Sequence, residues 1–425
     1  MRVTVSLGIK HYYREVHIVG REHLQHNGPQ IFLSNHPCTV MDPLNVVRLS
    51  RQQSFFLVNY SMFKTPITNW IFRTFYCIPI KRREDVEASQ AINNQEGFEQ
   101  CNAFLQGGGT LYIAPEGNSF MDWKLRPFKT GTARIAFSAM LGNDLPFHIV
   151  PTGLTYFDGH LFRGNLHIHI GKPIDVRPFF VSYLTEPQKA VESLTDYIHA
   201  QMLPLLVDTT DKAQELVLYH GDKLEQSQQP LVIATRYQRL RVWADRLKSL
   251  EVSTPDEYQK LTEIAANFGK TLKINGISHH NIINETKLLH QVIGAVLLLI
   301  LSPLSLYGWL QHIFAVGLPM LGIRLTKPYI GYDAAFKFGM GYFTVPLFYA
   351  LQAGLVWHFS GNGWIGLLYL VTLPVFGFFA DWHTSAIRRW FQNNRWMILQ
   401  RRDPNLSNFL QQQANTIISF CHGKD

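Results

Sequence analysis

Short apolar runs in the first third of the chain end in groups that could do chemistry. Ile31-Phe32-Leu33 runs directly into Ser34-Asn35-His36-Pro37-Cys38-Thr39-Val40-Met41-Asp42-Pro43. An imidazole held at one nitrogen by a carboxylate is a general base for taking a proton from an alcohol. In that arrangement His36 takes the proton and Asp42 fixes its tautomer. Further along, Cys77-Ile78-Pro79-Ile80 ends in Lys81-Arg82-Arg83, and Thr110-Leu111-Tyr112-Ile113-Ala114 ends in Pro115-Glu116-Gly117-Asn118-Ser119. The planar guanidinium of Arg82 can bind a phosphate through two parallel hydrogen bonds. A base, cations and a carboxylate beside a hydroxyl are the parts of a site for a hydroxylated anion.

These groups can meet only if strands deliver them to one edge of a sheet. The expected strands are residues 31–34, 54–58, 77–80, 110–114, 148–155 and 166–170, with helices between them over 41–50, 60–75, 85–105 and 128–141. Such alternation argues an α/β fold, a mixed and partly parallel sheet flanked by helices. Folds of this kind bind ligands outside the carboxyl ends of their strands, where His36, Arg82 and Glu116 would all lie. Gly107-Gly108-Gly109 lacks a following Gly-Lys-Ser/Thr, so it reads as a helix end and not as a nucleotide-binding loop.

Four blocks now stand in order: Asn35-His36 with Asp42; Ile80-Lys81-Arg82; Pro115-Glu116-Gly117-Asn118-Ser119; and Ile149-Val150-Pro151-Thr152-Gly153-Leu154. This order resembles the motif blocks of the glycerophospholipid acyltransferases, which include glycerol-3-phosphate and lysophosphatidate acyltransferases. The resemblance covers about residues 28–175. It implies that His36 and Asp42 are catalytic and that Arg82, with Lys81, binds the substrate phosphate. It further implies that Glu116, Gly117 and Ser119 bind the glycerol phosphate and that Pro151 belongs to the acyl-donor region. The implied co-substrate is acyl-CoA or acyl-carrier-protein, with no bound cofactor and no metal. Five residues separate His36 from Asp42, where four is usual in the family. The wider spacing resembles the branch acting on glycerol-3-phosphate or dihydroxyacetone phosphate, as does the stretch from Pro127 to Ala136. If the extra residue displaced Asp42, His36 would lose its orienting partner.

The 425 residues carry 39 Lys+Arg and 31 Asp+Glu, a net charge of +8, yet only 16% are charged. Residues 1–285 hold 29 basic and 27 acidic side chains, a balanced composition. Residues 288–323 and 338–380 hold no Asp, Glu, Lys or Arg at all, in runs of 36 and 43. Since about 20 apolar residues cross the hydrocarbon layer, about four spans or re-entrant segments are expected. Pro303, Pro319 and Ser360-Gly361-Asn362-Gly363 are the expected breaks. Arg324, Lys327 and Lys337 precede the second run, and Arg388, Arg389, Arg395, Arg401 and Arg402 come after it. Both basic stretches are expected to face the cytoplasm, together with the catalytic region. The expected order is a catalytic domain over 1–203, a helical connector over 204–285, membrane helices over 286–381 and a basic cytoplasmic tail over 382–425. Trp309, Trp357, Trp364, Trp382 and Trp390 fit a membrane-interface belt better than base stacking. The expected partners are therefore lipids, an acyl donor and a phosphorylated acceptor, with no nucleic acid.

Other readings compete for the same residues. Cys38 could be a thiol nucleophile using His36 as its base. The four cysteines show no framework spacing, which points to a reducing compartment. His167 with His169, and His279 with His280, are pairs that lack a clustered third ligand. Lys124, Arg126 and Lys129 form a basic loop that suits either a phosphate or solvent. A membrane-anchored scaffold that binds lipid without catalysis is the alternative of another class.

Overall fold

The computed structural model describes residues 2–24, 28–50, 52–82, 93–141 and 147–423. Two compact units divide the chain: residues 1–208 with 329–335, and residues 209–328 with 336–425.

The first unit runs α1 (Arg2–Tyr12), β1 (Glu15–Val19), β2 (Gln30–Ser34), α2 (Met41–Val47), β3 (Ser54–Asn59), α3 (Pro66–Thr74), β4 (Cys77–Ile80), α4 (Gln95–Gln106), β5 (Thr110–Ile113), α5 (Gly131–Met140), β6 (His148–Tyr156), β7 (Asn165–Ile170), β8 (Ile174–Asp175), α6 (Arg177–Tyr183) and α7 (Pro187–Met202). The sheet order is β1-β7-β6-β2-β5-β3-β4, with β8 on β6. β2 pairs in parallel with both β5 and β6, and β3 pairs in parallel with β5 and β4. β7 runs antiparallel to β6. The sheet is thus mixed and partly parallel, as the alternation predicts. Ile31, Phe32 and Leu33 are fully buried, which explains why β2 reads as an unbroken apolar run in the middle of the sheet. Ile135, Phe137, Leu194 and Ile198 from α5 and α7 extend the same core. The carboxyl ends of β2, β3, β4, β5 and β6 share one edge, so the residues just beyond them are brought together there.

The expected helix over 85–105 begins at Gln95 as α4; Arg83 and residues 84–92 lie outside the described residues. α4 ends at Gln106 with Gly107 as its cap, so the glycine triplet does end a helix. β1 and β8 add two strands that the apolar pattern does not announce.

The second unit is helical: α8 (Lys212–Gln228), α9 (Ile233–Ser253), α10 (Pro255–Asn275), α11 (His279–Ile283), α12 (Leu288–Thr326), α13 (Asp333–Ser360), α14 (Gly363–Arg402) and α15 (Pro404–His422). α13 straddles the division, its first three residues belonging to the first unit. α12 and α14 are long and apolar enough to cross a membrane. Pro303 and Pro319 do not break the first apolar run, which is one 39-residue helix. Proline at 319 removes the hydrogen bond to the carbonyl of Ala315. The Thr344 hydroxyl donates to that carbonyl instead, at 2.8 Å, so the helix continues. The break at Gly361 and Asn362 does occur, between α13 and α14. Three long helices therefore stand where about four segments are expected. Residues 382–402 continue α14, and α15 buries Leu410, Ala414 and Ile417. The final stretch is thus packed helix where a basic tail is expected.

Candidate active site

His36 lies two residues past β2, at the shared carboxyl edge. Its Nδ1 is 2.9 Å from Asp42 Oδ2. Asp42 is fully buried in the first turn of α2 and accepts two further hydrogen bonds, from the Cys38 N–H at 2.8 Å and the Tyr156 hydroxyl at 2.8 Å. Burial pushes the Asp42 carboxyl above its usual range, while the bonds from His36, Tyr156 and Cys38 pull it back. With Nδ1 facing the carboxylate, the His36 Nε2 is the nitrogen left to exchange a proton with substrate. The side chain is 18% exposed, enough to be reached.

The extra residue between His36 and Asp42 leaves the pair intact. Between the two, Thr39 adopts a left-handed backbone, φ 45°. The turn is closed by the Met41 N–H to the Cys38 carbonyl and the Asp42 N–H to the Thr39 carbonyl. A β-branched residue rarely adopts this conformation, and such strain persists only where its surroundings fix it. Here the Thr39 N–H donates to Ser119 Oγ at 3.2 Å and its hydroxyl to the Gly331 carbonyl at 3.1 Å.

Glu116, three residues past β5, ties the blocks together. Its Oε1 accepts from the His36 N–H at 3.0 Å and its Oε2 from the Arg126 N–H at 3.3 Å. Burial lifts its carboxyl from 4.5 to about 7 against those bonds. Gly117 has φ 79°, and a Cβ there would lie within 3.0 Å of Lys129 Cε, Cδ and Nζ. The left-handed conformation is what favours glycine here, and the Lys129 side chain crosses close over it. Asn35 holds β2 to β6 by pairing both its amide groups with the backbone of Leu154.

Arg82, two residues past β4, donates from Nη1 to Asn118 Oδ1 at 2.6 Å, so the basic strand end meets the Glu-Gly turn. Lys81 turns elsewhere: its Nζ lies 5.2 Å from the centre of the Tyr60 ring. Ser119 spends its hydroxyl as acceptor for Thr39. Pro151 is not at the edge; it lies inside β6, in register with Leu33 of β2, and its carbonyl accepts from the Gly171 N–H. Of the basic loop, Arg126 is bound by both Nη atoms to Asp122 and sits 3.7 Å over the Phe120 ring, whereas Lys129 reaches the Glu-Gly turn. Cys38 is buried, with its Sγ on the Gly159 carbonyl at 3.5 Å and its N–H on Asp42, which places the thiol away from a nucleophile's role. Among the described residues no three His, Cys, Asp or Glu are grouped to hold a metal. His167 is instead stacked on His17 and buried, which drops its pKa to about 3.

Two contributors have no motif to mark them in the sequence. Tyr156, at the end of β6, supplies a donor to Asp42, and only the strand's length hints that a residue there reaches the site. Tyr329 accepts from the Met121 N–H at 2.5 Å, beside the contact between Thr39 and Gly331. Both residues of that segment lie far down the chain.

A central parallel β2 with a His and Asp pair at its carboxyl edge, next to a cation and a Glu-Gly turn, defines an acyltransferase-type site. Residues 15–155 match the acyltransferase family model. That stretch holds all four motif blocks, so this third of the chain is similar to an acyltransferase domain. It is 28% identical over 140 residues to glycerol-3-phosphate O-acyltransferase 2 of Saccharomyces cerevisiae, a match covering 32% of this chain and 19% of that protein. It is 32% identical over 111 residues to glycerol-3-phosphate O-acyltransferase 1 of the same yeast, covering 25% and 15%. The chain thus spans less than a fifth of the length of these curated relatives. The crystal structure of the 1-acyl-sn-glycerophosphate acyltransferase of Thermotoga maritima aligns with a TM-score of 0.35 at 18% identity, over 48% of this chain and 77% of that one.

Proposed function

We propose that the first unit transfers a fatty acyl group from an acyl thioester to a hydroxyl of glycerol-3-phosphate, in membrane phospholipid synthesis. The observation that carries this reading is the 2.9 Å contact between His36 Nδ1 and Asp42, which leaves Nε2 to work as a base. Nε2 takes the proton of the acceptor hydroxyl while Asp42 stabilises the imidazolium that forms. The alkoxide oxygen attacks the thioester carbonyl carbon, and the tetrahedral intermediate collapses with loss of the thiolate. The thiolate then takes the proton back from His36, so no covalent enzyme intermediate is needed. Arg82 and Lys129, both beside the Glu-Gly turn, would bind the acceptor phosphate and hold the hydroxyl in attack geometry.

Glycerol-3-phosphate is preferred to lysophosphatidate or dihydroxyacetone phosphate because of the five-residue spacing and the two yeast relatives. The thioester is acyl-CoA or acyl-carrier-protein. A membrane location is supported by α12 and α14, whose apolar side chains stay uncovered by protein: Leu299 is 75% and Leu368 67% exposed. Cytoplasmic placement of the catalytic unit is inferred from the basic residues flanking the apolar runs.

The test is an acceptor panel assayed with one labelled acyl-CoA. Incorporation into glycerol-3-phosphate, abolished by His36→Ala at normal protein level, is the expected result. Acylation of lysophosphatidate alone would move the acceptor and leave the mechanism. Lipid binding without any transfer would replace the enzyme by a scaffold.

A further inference from the structure

A cavity of about 420 Å³ in the second unit is lined by Gly276, Arg388, Phe391, Gln392 and Arg395. The four α14 residues are spaced i, i+3, i+4 and i+7, so they form one stripe of that helix. Opposite them, the backbone of Gly276 has φ 60° and presents no side chain; a Cβ there would overlap Arg395 Nη1. The missing side chain at Gly276 thus leaves the position that the Arg395 guanidinium fills.

Neither guanidinium is occupied by the protein. No hydrogen bond or ion pair joins Arg388 or Arg395 to any described residue, and no acidic side chain lines the cavity. Capping of α10 is not their task, since the Gly276 and Ile277 N–H groups already bond the carbonyls of Lys273 and Leu272. Two exposed cations along one open groove, with no acidic side chain beside them, attract an anion.

The level of the cavity along α14 says which anion. Trp390, at the same level of α14 but off the stripe, donates from its indole nitrogen to the carbonyl of Gln291 at 2.9 Å. Gln291 lies in the first turn of α12, where the uncharged run starts. The arginines thus stand at the polar rim of the two apolar helices, beside an indole, which is the depth of lipid headgroups for helices in a bilayer. Phe391 adds an apolar wall on which a glycerol backbone can rest.

We infer that this cavity is a binding site for the phosphate of an anionic phospholipid headgroup, separate from the catalytic edge. Arg388 and Arg395 supply the charge, and Gly276 lets Arg395 lie against the end of α10. Choosing a lipid over a soluble phosphate rests on the membrane reading of α12 and α14; the charge argument does not.

The experiment titrates the full detergent-solubilised chain with phosphatidylglycerol or phosphatidylcholine and counts bound lipid by native mass spectrometry. Phosphatidylglycerol should be retained in preference, and the double substitution Arg388→Gln with Arg395→Gln should weaken it about thirtyfold. The control Arg401→Gln with Arg402→Gln removes equal charge from the same helix and should change binding by less than about twofold. Equal losses in both doubles would mean a diffuse basic surface and would overturn the site. Displacement by inorganic phosphate at matching concentration would overturn the lipid assignment. Flotation with neutral phosphatidylcholine vesicles after a high-salt wash reports membrane insertion alone, so failure of the membrane reading is told apart from failure of the site.

Discussion

The Thr39 hydroxyl donates to the carbonyl of Gly331 at 3.1 Å across 292 positions of sequence. Thr39 stands inside the turn that joins His36 to Asp42. Gly331 stands in the short connector between α12 and α13, a segment that packs as part of the first unit. The connector of two long helices therefore holds the turn between His36 and Asp42. A second bond, from the Met121 N–H to the Tyr329 hydroxyl, fixes the other side of the same connector.

Thr39→Val keeps the branched shape and removes the donor. The buried Gly331 carbonyl is then left without its partner, at a cost of about 1 to 3 kcal/mol. The strained turn loses one of its two ties, so kcat should fall about tenfold. Thr39→Ser restores the hydroxyl and should recover both thermal stability and turnover. Normal kinetics and melting in the valine variant would show that the contact is incidental.

The three donors on Asp42 make a sharper claim about pH. The Tyr156 hydroxyl lowers the proton affinity of that buried carboxyl, so Tyr156→Phe raises it. Protonated Asp42 cannot hold His36 in the working tautomer. The acid limb of the pH–rate profile should therefore move to higher pH, with the alkaline side unchanged. Asp42→Asn goes further, presenting an amide to donors that need an acceptor. It should cost roughly a thousandfold or more in kcat. An unshifted acid limb in Tyr156→Phe would remove Asp42 protonation as its cause.

Much of this site can be read from the chain because its strands are buried on both faces and end in abrupt polar turns. Ile31 to Leu33 and Leu111 to Ile113 stand out for that reason, and the polar residues just past each strand must emerge at the edge. β1 does not stand out: Glu15 to Val19 is a short edge strand with half-exposed residues. Contacts made across hundreds of residues, such as those of Tyr329 and Gly331, leave no local pattern. Pro319 of α12 misleads because the carbonyl that it frees, that of Ala315, takes a donor from Thr344 on another helix. Lys81 and Arg82 are equivalent on paper, yet one folds over Tyr60 and the other meets Asn118.

That last difference predicts a division of labour. Arg82→Gln should raise the KM of the phosphorylated acceptor about ten- to a hundredfold, as a charge-assisted contact to phosphate is lost. The KM of the thioester should stay within about twofold of the parent value. Lys81→Gln should leave both constants near the parent. Steady-state kinetics with each substrate varied in turn separates the two variants, and equal effects would return Lys81 to the phosphate site.

Glu116 ties pH to stability. Its carboxyl moves from 4.5 to about 7 because burial disfavours the charge. The folded chain holds that proton more tightly than the unfolded chain, so the stability it contributes is fully present below about pH 4.5. It is lost as the pH rises through about 7, a total of roughly 3 kcal/mol for a shift of this size. Glu116→Gln cannot ionise, but its amide meets one of the two N–H donors, from His36 or Arg126, and adds a penalty that does not vary with pH. The slope therefore carries the information. Between about pH 5 and pH 8 the melting temperature of the parent should fall relative to that of Glu116→Gln. Parallel curves across that range would mean that Glu116 is ionised throughout, with its two backbone donors outweighing its burial.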